Sequence, residues 1–173
     1  MKSIPAGLQA AALALAFGAV PTTYAQGLIN VQRLSAALAN EVVGETVAIC
    51  AKRGYKVVAI IVDLEGVRQA VLRGDGSPIH SMDNAYNKAY SAASLTLGRK
   101  EGSTAEVAAR IAKNPPSSVP YSPLPNVTFA VGGVAIMAGG NVIGGIGVSG
   151  APGGQFDEAC AREALAKIAD RMK

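Results

Sequence analysis

The sequence predicts an α+β sandwich, with helices covering a central, mainly antiparallel five-stranded sheet in one domain. Three observations predict it. Apolar strand-like runs follow one another through connections short enough for hairpins. Helical periodicity occupies both ends and the middle of the chain, giving the order α-β-β-α-α-β-β-β-α. Ten of the 20 glycines lie between Gly132 and Gly154, where closely spaced strands and a following helix need tight turns and near approach.

Met1 to Ala25 reads as a signal peptide. Lys2 supplies the positive start, Leu8 to Val20 the apolar stretch, and Pro21 its break; Thr23-Tyr24-Ala25 precedes a cut before Gln26. The stretch is too short to span a bilayer, and later apolar runs are interrupted by charge or glycine. Residues 26–173 are then one domain, exported to the periplasm or secreted.

Asn30 to Arg53 follows a helical pattern that ends at Gly54, a suitable C-cap. Val57 to Val62 is β-branched and apolar, as a buried strand requires. Asp63-Leu64-Glu65-Gly66 turns the chain into a second strand, Val67 to Arg73. After the loop Gly74 to Pro78, Ser81 reads as the N-cap of a helix from Met82 to about Leu97. Ser103 or Thr104 caps another helix, with Glu106 completing a box and an end near Lys113. Five prolines between Asn114 and Pro125 make a loop. Three short strands follow, Phe129 to Gly132, Val134 to Ala138 and Val142 to Val148, and Gln155 to Met172 reads as the last helix.

Gly145-Ile146-Gly147-Val148-Ser149-Gly150 has G-x-G-x-x-G spacing, yet no second parallel strand or ribose-binding acid follows, so a dinucleotide fold is excluded. Ser149 and Gly150 still offer N–H groups beside a helix start and form one candidate wall of a pocket. Asp157 and Glu158 read as first-turn acids complementing that helix dipole. The net charge of +4 is not gathered with aromatics, which argues against nucleic-acid binding.

Cys50 lies on the stripe Leu34, Leu38, Val42, Thr46, and Cys160 on the stripe Phe156, Cys160, Ala164, Ile168, so both face a core. They are either a disulfide worth about 4–5 kcal/mol or two buried thiols.

His80 is the only histidine, standing either as a haem axial ligand or proton-transfer group, or as an ordinary loop residue. Zinc lacks a ligand set. Arg73, at a strand end, suits planar recognition of a carboxylate. Lys88 shares a helix face with Ser81, Asn84 and Ser91; the face reads as solvated, with pocket lining as the alternative. Tyr121, among the prolines, reads either as part of a lid or as a packed tyrosine.

The segments Gly54 to Asp63, Arg73 to Ser94 and Leu124 to Leu165 together resemble the GlcG/HbpS-like haem-binding-protein family, which includes the C-terminal domain of PduO-type proteins. The resemblance implies a profilin-like α/β/α sandwich, homo-oligomers and, for some members, bound haem. The haem histidine of some members lies in their N-terminal region, where this chain has none, leaving His80 as the candidate ligand to iron. The expected function is an exported oligomeric protein binding haem or a similar anionic small molecule. Arg73 and Lys88 would meet its carboxylates, with Tyr121, Ser149 and Gly150 nearby. The alternative is a hydrolase, lyase or tautomerase acting on a small carboxylated metabolite, with His80 or Asp75 moving protons and Arg73 orienting the substrate. A structural partner without ligand chemistry is the third reading.

Overall fold

In the computed structural model, residues 27–113 and 124–172 are described; the expected signal peptide and Tyr121 lie outside them. The chain divides after Asn30 into two units, and the second, from Val31, carries the fold. Residues 27–30, in the first unit, are exposed and contain no helix or strand.

Helix α1 spans Ala36–Lys52. It starts later than the periodicity from Asn30 suggests because Ser35 is extended and its hydroxyl accepts the Leu38 N–H at 3.2 Å. Strand β1, Val58–Val62, is wholly buried, as its β-branched run requires. β2 covers Arg68–Arg73 and α2 covers Ser81–Leu95. His80, not Ser81, is the N-cap of α2; Ser81 is the first helical residue and is itself buried. In α3, Thr104–Lys113, Ser103 Oγ accepts the Glu106 N–H at 3.4 Å, which is one half of the expected box, while the Glu106 carboxylate turns back to the Gly102 N–H at 2.9 Å, one residue before the cap. β3 is Gly133–Ala138, β4 is Asn141–Ser149 and α4 is Gly154–Ala166, followed by a 3-10 turn at Ala169–Arg171. α4 therefore stops short of the expected Met172, where the Lys167 N–H falls back to Ala164 and Leu165 carbonyls.

The sheet has four strands in the order β2-β1-β4-β3, each pairing antiparallel. The fifth expected strand, Phe129 to Gly132, does not form. Gly132 O does accept the Val148 N–H of β4 at 3.0 Å, but upstream of it the Thr128 N–H donates to Ser91 Oγ at 2.7 Å, and the Ala130 N–H to Thr128 Oγ1 at 3.1 Å. The margins of the sheet differ. The start of β3 is covered by Ser103 opposite Val134 and by the Ala135 N–H donating to Gly102 O at 2.9 Å. The outer margin of β2 pairs with no strand among the described residues.

α1 and α4 cover one face of the sheet, enclosing Ala59, Ile61, Ile146 and Val148 among others; α2 covers the other, over Val58, Ile60 and Val62. The alternation of β4 explains its glycines. Ile146 and Val148 enter the first core, whereas Gly145 and Gly147 meet α2, where added Cβ atoms would stand 2.4 Å from Ala89 O and 2.0 Å from Ala85 O. Ala85, Ala89 and Ala93 on the helix complete this close contact. The G-x-G-x-x-G spacing thus serves helix–sheet packing. Cys50 and Cys160 form a disulfide between α1 and α4, with 5.7 Å between Cα atoms. Outside it, Glu41, Glu45 and Arg53 pair with Arg171, Lys167 and Glu163.

Candidate functional site

Three turns converge at the end of the sheet where β1 begins and β4 ends. The first follows α1: Gly54 adopts φ +80°, and Gly54 and Tyr55 N–H groups return to Ala51 and Cys50 carbonyls, closing the helix in the manner of a glycine C-cap. The second is the loop from Gly74 to His80. The Gly74 N–H and the Ser77 hydroxyl both donate to Val57 O, at 2.9 and 2.7 Å, tying this loop to the start of β1. The third runs from Gly150, at φ +129°, to Gly153, the N-cap of α4. A Cβ on Gly150 would stand 2.2 Å from Lys56 O, so the first and third turns touch only because this position is glycine.

Two adjoining hollows occupy the junction, of about 250 Å³ and 320 Å³, and both are lined by Gly54, Tyr55 and Lys56. Gly76, Pro78, Gly150 and Pro152 complete the first; Val47, Gly74 and Asp75 contribute to the second. Tyr55 packs against Phe156 of α4 with ring centroids 5.5 Å apart. Of the residues singled out in the sequence, Asp75 and Gly150 therefore meet here. Arg73 stands at the edge with its guanidinium turned to the protein, Nε and Nη2 donating to Ser77 O at 3.1 and 2.6 Å. It braces the loop that carries Asp75. His80 is exposed, two residues beyond Pro78, and its imidazole makes no capping hydrogen bond. Lys56, exposed, was not among the sequence candidates; its stem lies alongside Gly76, at φ +71°, where a Cβ would be 3.1 Å from Lys56 Cδ. No local pattern announces that contact, since it depends on two turns 20 residues apart meeting in space.

The polar face of α2 is not solvated. Ser81, Lys88 and Ser91 are buried and Asn84 reaches inward, its Nδ2 donating to Ser149 Oγ at 3.0 Å. Lys88 Nζ donates to Val148 O at 2.9 Å and to Asp157 Oδ2 at 2.8 Å, in an ion pair whose side chains are 4% and 3% exposed. The Ser81 hydroxyl is buried without a hydrogen-bond partner among the described residues. Lys88 and Ser149 thus belong to a buried polar layer at the end of β4, with the Lys88 ammonium already engaged by Val148 O and Asp157.

Asp157 does more than complement the α4 dipole. Its Oδ1 accepts the Ala151 N–H at 3.0 Å, so one carboxylate ties α2, the end of β4 and the turn into α4. Burial pushes its carboxyl above the ordinary 3.8; the hydrogen bond and charge of Lys88 oppose that rise without cancelling it. Gly132, at φ +121°, makes room for the pair, because a Cβ there would lie 2.9 Å from both Lys88 Nζ and Asp157 Cβ. Glu158 instead faces the surface pair with Arg162 at 2.8 Å.

Among the described residues no group of three or more His, Cys, Asp or Glu side chains is arranged to hold a metal ion, and no helix is long and apolar enough to cross a membrane.

A family model described as haem degrading protein HbpS-like matches residues 34–166. The chain is similar in structure to a double mutant of HbpS from Streptomyces reticuli, with TM-score 0.73, 31% identity, and 95% of this chain and 99% of that one covered. It is similar to a crystal structure of HbpS at TM-score 0.72 and 32% identity, over 82% of this chain and 94% of that one. A PduOC:heme complex aligns at TM-score 0.66 and 26% identity, over 79% of this chain and 96% of that one. No curated protein matches the chain.

Proposed function

This chain belongs to the HbpS-like family of haem degrading proteins, and on that footing we propose that it binds haem, or a planar anionic ligand of the same kind, at the junction of its three turns. The observation that carries the reading is the likeness to a relative whose structure is a complex with haem.

The residues at the junction fit such a group in kind. Lys56 is an exposed cation suited to a propionate, Tyr55 and Pro78 offer flat apolar contact, and the His80 imidazole is exposed on the same loop as Pro78. Haem, when bound, supplies a redox-active iron, and His80 is the residue of this chain proposed to hold it. Arg73 acts at one remove by keeping the loop in place through Ser77 O. The first hollow falls short of the 300–1,000 Å³ usual for enclosed ligands and the second only just reaches it, so one copy offers a wall more than a pocket. A second copy supplying the opposite wall is part of the proposal and accounts for the homo-oligomer that the family resemblance implies. Export to the periplasm or beyond, by way of residues 1–25, is proposed on the leader pattern. Asp75 beside Lys56 favours a second reading, an enzyme on a small carboxylated metabolite in which Asp75 moves a proton.

Titration of the purified protein with hemin, following the Soret band, tests the first reading. A saturable band is expected, weakened by Lys56→Ala and shifted by His80→Ala. Absence of a saturable band would sink haem binding. A band unchanged in His80→Ala would keep haem and remove His80 as ligand. Turnover of small carboxylic acids lost in Asp75→Asn, without haem present, would favour the enzyme.

A further inference from the structure

A separate hollow of about 440 Å³ lies at the opposite end of α1. The 17 residues of that helix, at a rise of 1.5 Å each, put roughly 25 Å between it and the Tyr55–Lys56 junction. Its apolar wall comes from three parts of the chain: Leu34 and Leu38 at the start of α1, Ile143 on β4, and Met172 after the final turn. Gln69 Nε2 donates to Leu34 O at 3.0 Å and holds the entry to α1 against β2, so this wall is anchored.

Two guanidinium groups stand at the hollow, and they differ. Arg171 is committed, donating through both Nη1 and Nη2 to the two oxygens of Glu41. Arg33 is not. Its nearest acid is Asp63, with Nη1 to Oδ2 at 3.9 Å, outside hydrogen-bond reach, and its side chain is 66% exposed. Asp63 directs its other oxygen to the Glu65 and Val67 N–H groups at 3.1 and 2.9 Å. Arg33 thus pairs with Asp63 by charge at long range only, and among the described residues its planar set of donors makes no hydrogen bond at the rim of the apolar cleft.

We propose that this cleft binds a small amphipathic monocarboxylate, with its head group on Arg33 and its single apolar tail against Leu34, Leu38, Ile143 and Met172. One available guanidinium matches one carboxylate in a two-bond fork. The Arg171–Glu41 pair is internally neutralised and repels neither charge. The volume lies within the range of small-ligand pockets, and the mixture of apolar wall with one convergent charge is the usual composition of such a site. The proposal uses none of the residues assigned to haem.

Decanoate is the probe, with decan-1-ol as the neutral control, observed by methyl-detected NMR on the purified protein. Decanoate is expected to produce saturable shifts at the Leu34, Leu38, Ile143 and Met172 methyls. Arg33→Gln is expected to raise the decanoate Kd at least tenfold, Arg33→Lys to recover part of that loss, and decan-1-ol binding to change less than twofold in either. Because Arg33 is exposed, both variants should keep the thermal midpoint of the parent, and both should keep its hemin titration. Equal affinity for decanoate and decan-1-ol, an unchanged Kd in Arg33→Gln, or shifts gathered at the Val47 and Val57 methyls of the junction instead would each overturn the proposal. A missing hemin band with decanoate binding intact would overturn the haem reading alone.

Discussion

Replacing Lys88 by Met removes the cation from a carboxylate that has no water to turn to. Asp157 then keeps one hydrogen bond, from Ala151 N–H, while its charge loses the partner at 2.8 Å. Breaking a buried ion pair from one side costs about 3–5 kcal/mol. An upper bound follows from proton linkage. The stranded carboxylate escapes its predicament by taking a proton in the folded state, and holding that proton at pH 7 costs about 1.36 kcal/mol for each pH unit above the ordinary 3.8, or about 4.4 kcal/mol in all. The expected loss is therefore about 3–4.4 kcal/mol at pH 7, and no more than about 1.6 kcal/mol at pH 5 by the same reckoning. Urea unfolding of the parent and of Lys88→Met at both pH values measures it, and the thermal midpoint at pH 7 should fall by roughly 10 °C. The sign for the parent runs the same way. Asp157 has a folded-state affinity for protons above its unfolded one, so its contribution is fully present below 3.8 and is lost as pH rises through the folded value. A penalty for Lys88→Met under 1 kcal/mol at pH 7, or one that does not shrink toward pH 5, would refute the account of a buried charge held by Lys88.

Gly147→Ala places a Cβ 2.0 Å from Ala85 O, so α2 must lift from the sheet; a loss of about 3 kcal/mol is expected in urea unfolding, and a neutral result would contradict the flush packing. The Cys50–Cys160 bridge spans 110 residues of sequence, for which loop-closure entropy gives about 4.8 kcal/mol. Cys50→Ala/Cys160→Ala should lose most of that, and peptide mapping without reductant should recover the linked pair from the parent. The hemin and decanoate titrations complete the set, each with its own variant.

What the sequence disclosed follows physical range. Strand β1 was legible because a β-branched run declares both its conformation and its burial. The cysteine stripes were legible because a helix fixes which residues share a face. The face shared by Ser81, Asn84, Lys88 and Ser91 is equally legible as a face, yet its composition suggests solvation, since periodicity says nothing of what stands opposite. Here Asp157, 69 residues away, supplies the counter-charge. Phe129 to Gly132 has the composition of a strand, but Ser91 draws off the preceding backbone, a contact across 37 residues. At the candidate site, Asp75 and Gly150 were accessible through turn chemistry, whereas Lys56 becomes relevant only once the Gly74–His80 loop folds over it. Arg33 carried no sequence signal, because its significance is the hydrogen bond that Asp63 does not make.

The unequal margins of the sheet bear on how copies of this chain can join. Exposed strand edges invite further strands, and unchecked addition on both sides leads to fibres. Among the described residues the β3 side presents Ile136–Ala138 beyond the covered start, three residues against the six of β2. Two copies meeting through β2 would consume the long edge of each and leave only the short ones outward. Joined in that way, two copies would leave no long strand edge facing outward for further addition.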